Sequence, residues 1–101
     1  MIKFRLCKET DLTEGEMKVF LVEGKDLLLV KIKGVFRCVE NACPHRSAPL
    51  SDGILEGSVL TCPYHAAQFD LANGKVSFNV PIPALKMFQV IVEEGNVLVV
   101  L

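Results

Sequence analysis

Histidine is scarce in this chain: 101 residues contain two, His45 and His65, and both fall within CPHRSAPLSDGILEGSVLTCPYH, residues 43 to 65. No third histidine exists to serve as a general base or a second metal site. Charge of one sign is also missing. Against 12 Asp and Glu stand 11 Lys and Arg, which gives neither the basic footprint of a nucleic-acid binder nor the self-repulsion of a disordered tail. Long apolar runs are absent, because Lys, Asp, Glu or Gly interrupts each one short of the roughly 20 residues that a membrane helix needs. The N-terminal MIKFRLCKETD carries charge from Lys3 onward and has no apolar export core, so a cytoplasmic protein with no membrane partner is expected. No G-x-G-x-x-G is present, so nicotinamide or flavin chemistry is expected to belong to a partner.

Helical periodicity is nearly absent too. What is present is a chain 50% hydrophobic, its Val, Ile, Leu and Phe gathered in short runs between Gly, Asn and Asp turns. The pattern predicts strands near residues 2–7, 17–23, 26–33, 35–40, 59–62, 67–71, 75–78, 86–93 and 96–101, hence an all-β protein. Gly24-Lys25, Lys33-Gly34 and Glu94-Gly95-Asn96 read as hairpin turns, and Asn73-Gly74 suits a type I′ turn. CKETDLTEGE, after the first strand, has room for a short helical turn. The length fits one domain over residues 1–101. Within it, residues 41 to about 83 are richer in Pro and Gly than their flanks, as a loop-built site inserted in a β framework would be.

Four cysteines in a chain expected to stay in a reducing compartment point to metal ligation or free thiols before disulfides. Cys38 shares a strand face with Phe36, and Cys7 closes the strand containing Phe4 and Leu6; both read as small buried hydrophobes. Cys43 and Cys62 differ, since each has a histidine beside it. Cys43 and His45 form C-x-H, Cys62 and His65 form C-x-x-H, and 16 residues lie between His45 and Cys62. Common structural zinc sites pair two Cys on one turn and two His on another. One thiolate and one imidazole per arm suits a centre with two chemically different metal positions, while the same four side chains would also make a tetrahedral zinc set.

This C-x-H and C-x-x-H pairing resembles the signature of the Rieske 2Fe-2S proteins. The resemblance implies a Rieske fold: an antiparallel, β-sandwich-like framework with an inserted cluster-binding part at about residues 41–83. It implies one 2Fe-2S cluster per chain, with Cys43 and Cys62 on the inner iron and His45 and His65 on the outer. Two neutral imidazoles in place of two thiolates leave such a cluster less negative and easier to reduce than an all-Cys one. Weaker parts of the resemblance are Pro81-Ile82-Pro83, where the family has a proline-bearing third loop, and Leu50, Ser51 and Gly53, which fit its turn between the ligand arms. Arg46 reads as a solvated charge beside the site. Pro44, Pro49, Pro63, Tyr64 and Ala66 read equally as an apolar collar or as residues that shape the loops.

Departures from the family pattern narrow the reading. Respiratory members carry a cysteine three residues after the first ligand histidine and another just before the second, joined as a disulfide; here those positions are Ala48 and Tyr64. High-potential members place Ser two residues, and Tyr four residues, after the second ligand histidine; here they are Ala67 and Phe69. Oxygenases of the wider family hold a further iron on two more histidines and a carboxylate, which this chain lacks. The soluble Rieske-type ferredoxins are the better likeness. They imply a non-enzymatic carrier that takes electrons from a flavoprotein ferredoxin reductase and passes them to a terminal oxygenase of the ring-hydroxylating dioxygenase kind. A Rieske-like small subunit of a nitrite-reductase-type enzyme and a zinc-stabilised interaction module are the alternatives.

Overall fold

The run Leu27-Leu28-Leu29-Val30 is strand-forming but does not alternate. Successive strand residues point to opposite faces, so a run apolar throughout must be covered on both sides. A computed structural model, which describes residues 1–44, 49–62, 67–76 and 84–101, shows that covering. Strand β3 (Lys25–Ile32) sends Leu27 and Leu29 into one core and Leu28, Val30 and Ile32 into another. The adjacent β4 (Val35–Glu40) repeats the device, with Cys38 in the first core and Val39 in the second. Burial of a Val or Leu is worth about 1.5–3 kcal/mol, which makes these two strands the energetic link between the cores.

Around them the chain forms β1 (Lys3–Lys8), β2 (Met17–Val22), β5 (Ile54–Glu56), β6 (Val59–Thr61), β7 (Gln68–Asp70), β8 (Met87–Glu93) and β9 (Asn96–Val100). Among the described residues, β1-β9-β8-β4-β3-β2 make a six-stranded sheet and β5-β6-β7 a three-stranded one. Every strand pair is antiparallel. Phe4 and Leu6 from one edge of the larger sheet and Phe20 and Val22 from the other pack against the same core as Cys7, Cys38, Val97 and Val99. The sheet therefore wraps around that core. The second core lies between the outer face of β3 and β4 and the small sheet, whose Leu60 and Phe69 are fully buried. Among the described residues no helix is long and apolar enough to cross a membrane.

The expected all-β architecture is present, and the differences from expectation are local. Three hairpins turn on Glu23-Gly24, Lys33-Gly34 and Glu94-Gly95, each with positive φ at both residues, the type I′ geometry whose twist matches the strands. The first is one residue earlier than expected, because Lys25 pairs with Val22 in the ladder. Asn73-Gly74 is not type I′: of the two, only Gly74 has positive φ. The Asp70 carboxylate accepts the Ala72 N–H and its carbonyl accepts the Gly74 N–H at 2.7 Å. This Asx turn captures the chain first and makes a four-residue loop. Of the strand expected at 75–78, Val76 forms an isolated bridge with Phe69, and residues 77 and 78 lie outside those described. Strand β5 lies outside the strands that the sequence pattern predicts. The helical turn expected after β1 is a 3-10 turn at Glu9–Asp11, and the nearby Glu14 carboxylate accepts the N–H groups of Lys33 and Gly34, pinning that loop to the β3–β4 turn.

Candidate metal centre

Two cysteines stand at the base of the two arms that the sequence marks. Cys43 follows β4 by three residues and Cys62 directly follows β6. Both are 1% exposed, and both belong to the second core, with Leu50, Leu60, Ala67, Phe69 and Leu85 around them. His45, His65, Arg46, Ala48, Pro63, Tyr64, Ala66 and the Pro81-Ile82-Pro83 segment lie outside the described residues. Among the described residues no group of three His, Cys, Asp or Glu side chains forms a metal site.

The second arm is a hairpin end. Thr61 pairs with Gln68, and the Cys62 N–H donates to the Ala67 carbonyl at 2.8 Å, a bond that ties the two legs of the second arm together. The first arm leaves β4 at Asn41 and returns through a 3-10 turn, Leu50–Asp52. Two features bring its return leg back. Ser51 donates its N–H to Asn41 Oδ1 at 2.9 Å. Gly53 then packs its Cα against Thr61, just before Cys62: a Cβ there would sit 2.2 Å from the Thr61 carbonyl oxygen. The arms thus converge at Gly53. Beside Cys43 an open cleft of about 210 Å³ is lined by Glu40, Ala42, Cys43, Pro44, Ala84 and Lys86.

Cys7 and Cys38 lie apart from this pair, in the first core. Burial pushes the Cys38 thiol up to about 12, so it stays protonated at neutral pH and is a poor ligand. Cys7 is also raised, first by burial and then by the nearby Asp11. Both sit in the first core, as expected of small hydrophobes. The sequence reading missed Asn41, a buried polar side chain two residues before Cys43. Periodicity carries no signal for it, since its polarity argues for exposure.

The described donors fit an iron–sulfur cluster: two soft sulfur atoms, those of Cys43 and Cys62, lie in one apolar core just after β4 and β6. The model of the Rieske [2Fe-2S] domain matches residues 2–89. The ferredoxin component of the naphthalene 1,2-dioxygenase system of Pseudomonas putida is 36% identical over 90 residues, 89% of this chain and 86% of that protein. The ferredoxin component of the alkene monooxygenase system of Xanthobacter autotrophicus is 40% identical over 95 residues, 93% of this chain and 77% of that protein. Among solved structures, one chain from a complex of reduced oxygenase and oxidised ferredoxin in carbazole 1,9a-dioxygenase superposes with a TM-score of 0.90 at 30% identity, covering 97% of this chain and 92% of that one. The Sphingomonas yanoikuyae B1 ferredoxin superposes with a TM-score of 0.87 at 28% identity, covering 97% of each chain. With a family match over nearly its whole length and two cysteines buried at the base of its two arms, the chain belongs to the Rieske [2Fe-2S] family.

Proposed function

We propose that this chain is a cytoplasmic Rieske ferredoxin, an electron carrier without catalytic activity of its own. The observation that carries the reading is the burial of Cys43 and Cys62 in one core, at the positions of a C-x-H and a C-x-x-H arm. Cys43 and Cys62 hold the inner iron of one 2Fe-2S cluster, and His45 and His65 hold the outer. The whole chain works as one domain, with the cluster-binding part at about residues 41–83. The family match favours this use of the donor set over a mononuclear zinc site.

When bound, a Rieske cluster accepts and releases one electron at a time, at a potential raised by its two neutral ligands. The chain's own residues supply the setting. Leu50, Leu60, Phe69 and Leu71, all fully buried, keep water from the cysteine side. The hairpin bond from Cys62 to Ala67 fixes the second arm. Relatives named as ferredoxin components of dioxygenase and monooxygenase systems, and a ferredoxin solved with its oxygenase, support a route from a flavoprotein reductase to a terminal oxygenase of the ring-hydroxylating kind.

Purified protein is expected to be red-brown, to hold about two iron and two acid-labile sulfide per chain, and to give a Rieske-type EPR signal on reduction. NADH should reduce it only when a ferredoxin reductase flavoprotein is added. Cys43→Ser and Cys62→Ser should abolish the cluster, while Cys7→Ser and Cys38→Ser should retain it. Stoichiometric zinc without labile sulfide would overturn the reading.

A further inference from the structure

Asn41 is the one polar residue in the buried set of the described residues, 6% exposed. Its carboxamide is used at both ends. Oδ1 accepts the Ser51 N–H at 2.9 Å, while Nδ2 donates to Ser51 Oγ at 3.2 Å and to Asp26 Oδ2 at 3.3 Å. Its backbone N–H donates to the Asp26 carbonyl at 2.8 Å. One side chain therefore joins three places: the start of β3, the exit of β4, and the 3-10 turn that ends the first arm.

We infer that Asn41 is a positioning residue for the cluster: by clamping Ser51 to Asp26 it holds closed the arm that carries Cys43. The inference rests on the cluster-binding reading above. The chemistry requires asparagine. The clamp needs one acceptor facing a backbone N–H and two donors facing a hydroxyl and a carboxylate. Aspartate has no donor and would face the Asp26 carboxylate, leucine of similar size has neither function, and glutamine is one methylene too long. A buried carboxamide is also costly unless satisfied, so the closed arm and the satisfied amide stabilise each other. The arm's two ends are tied at Asn41 and Ser51, with Cys43 and His45 between them in sequence.

The test uses cluster-loaded protein and follows the decay of its visible absorbance in excess iron chelator, together with the EPR spectrum of the reduced form and the melting temperature. Ser51→Ala should release the cluster about fivefold faster, the equivalent of about 1 kcal/mol at 1.4 kcal/mol per tenfold. Asn41→Asp and Asn41→Leu should release it more than tenfold faster and change the g values of the molecules still loaded. Val97→Ala, in the other core, should lower the melting temperature and leave release and EPR unchanged. Should Asn41→Leu fail to fold, Ser51→Ala and Asn41→Asp still decide the matter. Release at the wild-type rate in both, or release that simply follows melting temperature across all variants including Val97→Ala, overturns the assignment. A wild type that binds no iron and sulfide overturns the cluster-binding reading itself, and the assignment with it.

Discussion

Gly53→Ala should be among the most damaging single-methyl additions the chain can receive. The backbone at Gly53 has φ −81° and ψ −173°, a conformation open to any residue, so glycine is not required there for its dihedral freedom. It is required for space. An added Cβ would lie 2.2 Å from the Thr61 carbonyl oxygen and 3.1 Å from that of Leu50, and relief demands a shift of about 1 Å against an ordinary contact distance. Neither oxygen belongs to a flexible side chain. Thr61 is held in two ladders, opposite Ile54 of β5 and Gln68 of β7, and Leu50 is fully buried and accepts the Gly53 N–H. Overpacking costs about 1–3 kcal/mol, and a clash of backbone on backbone belongs at the upper end. At about 4–8 °C per kcal/mol for a chain of this size, the melting temperature should fall by roughly 10–25 °C. Because Thr61 precedes Cys62, the shift also displaces the thiol proposed to hold the cluster, and iron and sulfide content should fall with stability. Circular-dichroism melts and iron analysis of the two proteins side by side provide the check. A Gly53→Ala protein that loads fully and melts within about 3 °C of wild type would refute the close-approach argument.

Two further outcomes follow from the same core and from the loop on the far side. The family resemblance implies that hydroxyls at positions 67 and 69 stabilise the reduced cluster in high-potential members, from which this chain departs: here Ala67 is buried and Phe69 fully so, with no hydroxyl to offer; the potential should therefore lie near the low end of the Rieske range, about −150 mV. Ala67→Ser and Phe69→Tyr should each raise it by tens of millivolts, at about 1 kcal/mol per hydrogen bond and about 59 mV per 1.4 kcal/mol for one electron, and a redox titration that finds wild type near the top of the range, or both variants unmoved, contradicts this. The Glu14 carboxyl is held below its ordinary 4.5 by the Gly34 and Lys33 N–H groups it accepts. A depressed folded-state value means that its contribution is present above pH 4.5 and is lost as pH falls through the folded value. Urea unfolding across the acid range should therefore show the advantage of wild type over Glu14→Gln shrinking with acidification, and an advantage constant with pH would remove the charge from the explanation.

Much of this fold is legible in its sequence because β1 and β9 follow period-two patterning and the larger sheet punctuates its hairpins with Gly. Where legibility fails, a second local preference competes. Asn73-Gly74 has the composition of a type I′ turn, yet the Asp70 carboxylate three residues earlier takes the Ala72 N–H and fixes a longer loop first. Strand β5 has three residues, Ile54–Glu56, too few to show alternation; it exists because β6 offers Leu60 opposite Leu55 in the ladder. The unbroken run in β3 is strand-like in composition, but which residues face which core depends on the two sheets that cover it.

The candidate site divides along the same line. The motif is local: a cysteine and a histidine with one or two residues between them mark each arm as a candidate metal-binding segment. What holds the two cysteines in place is not local. Asn41 reads from sequence as an ordinary polar residue after a strand, and it becomes a clamp only because Ser51 and Asp26 arrive from other segments to fill its hydrogen bonds. Gly53 sits beside a 3-10 turn, where a glycine would ordinarily be ascribed to dihedral freedom, and its negative φ shows that the reason is a neighbour eight residues further along the chain, Thr61. Both residues act on the same stretch. Asn41 ties the outgoing leg of the first arm to its return at Ser51, and Gly53 presses that return against the strand that ends at Cys62. The two cysteines therefore share one core through packing that no spacing rule encodes. A variant that keeps Cys43, His45, Cys62 and His65 but breaks the Asn41 clamp, or forces Gly53 away from Thr61, should retain its motif and loosen its hold on the cluster.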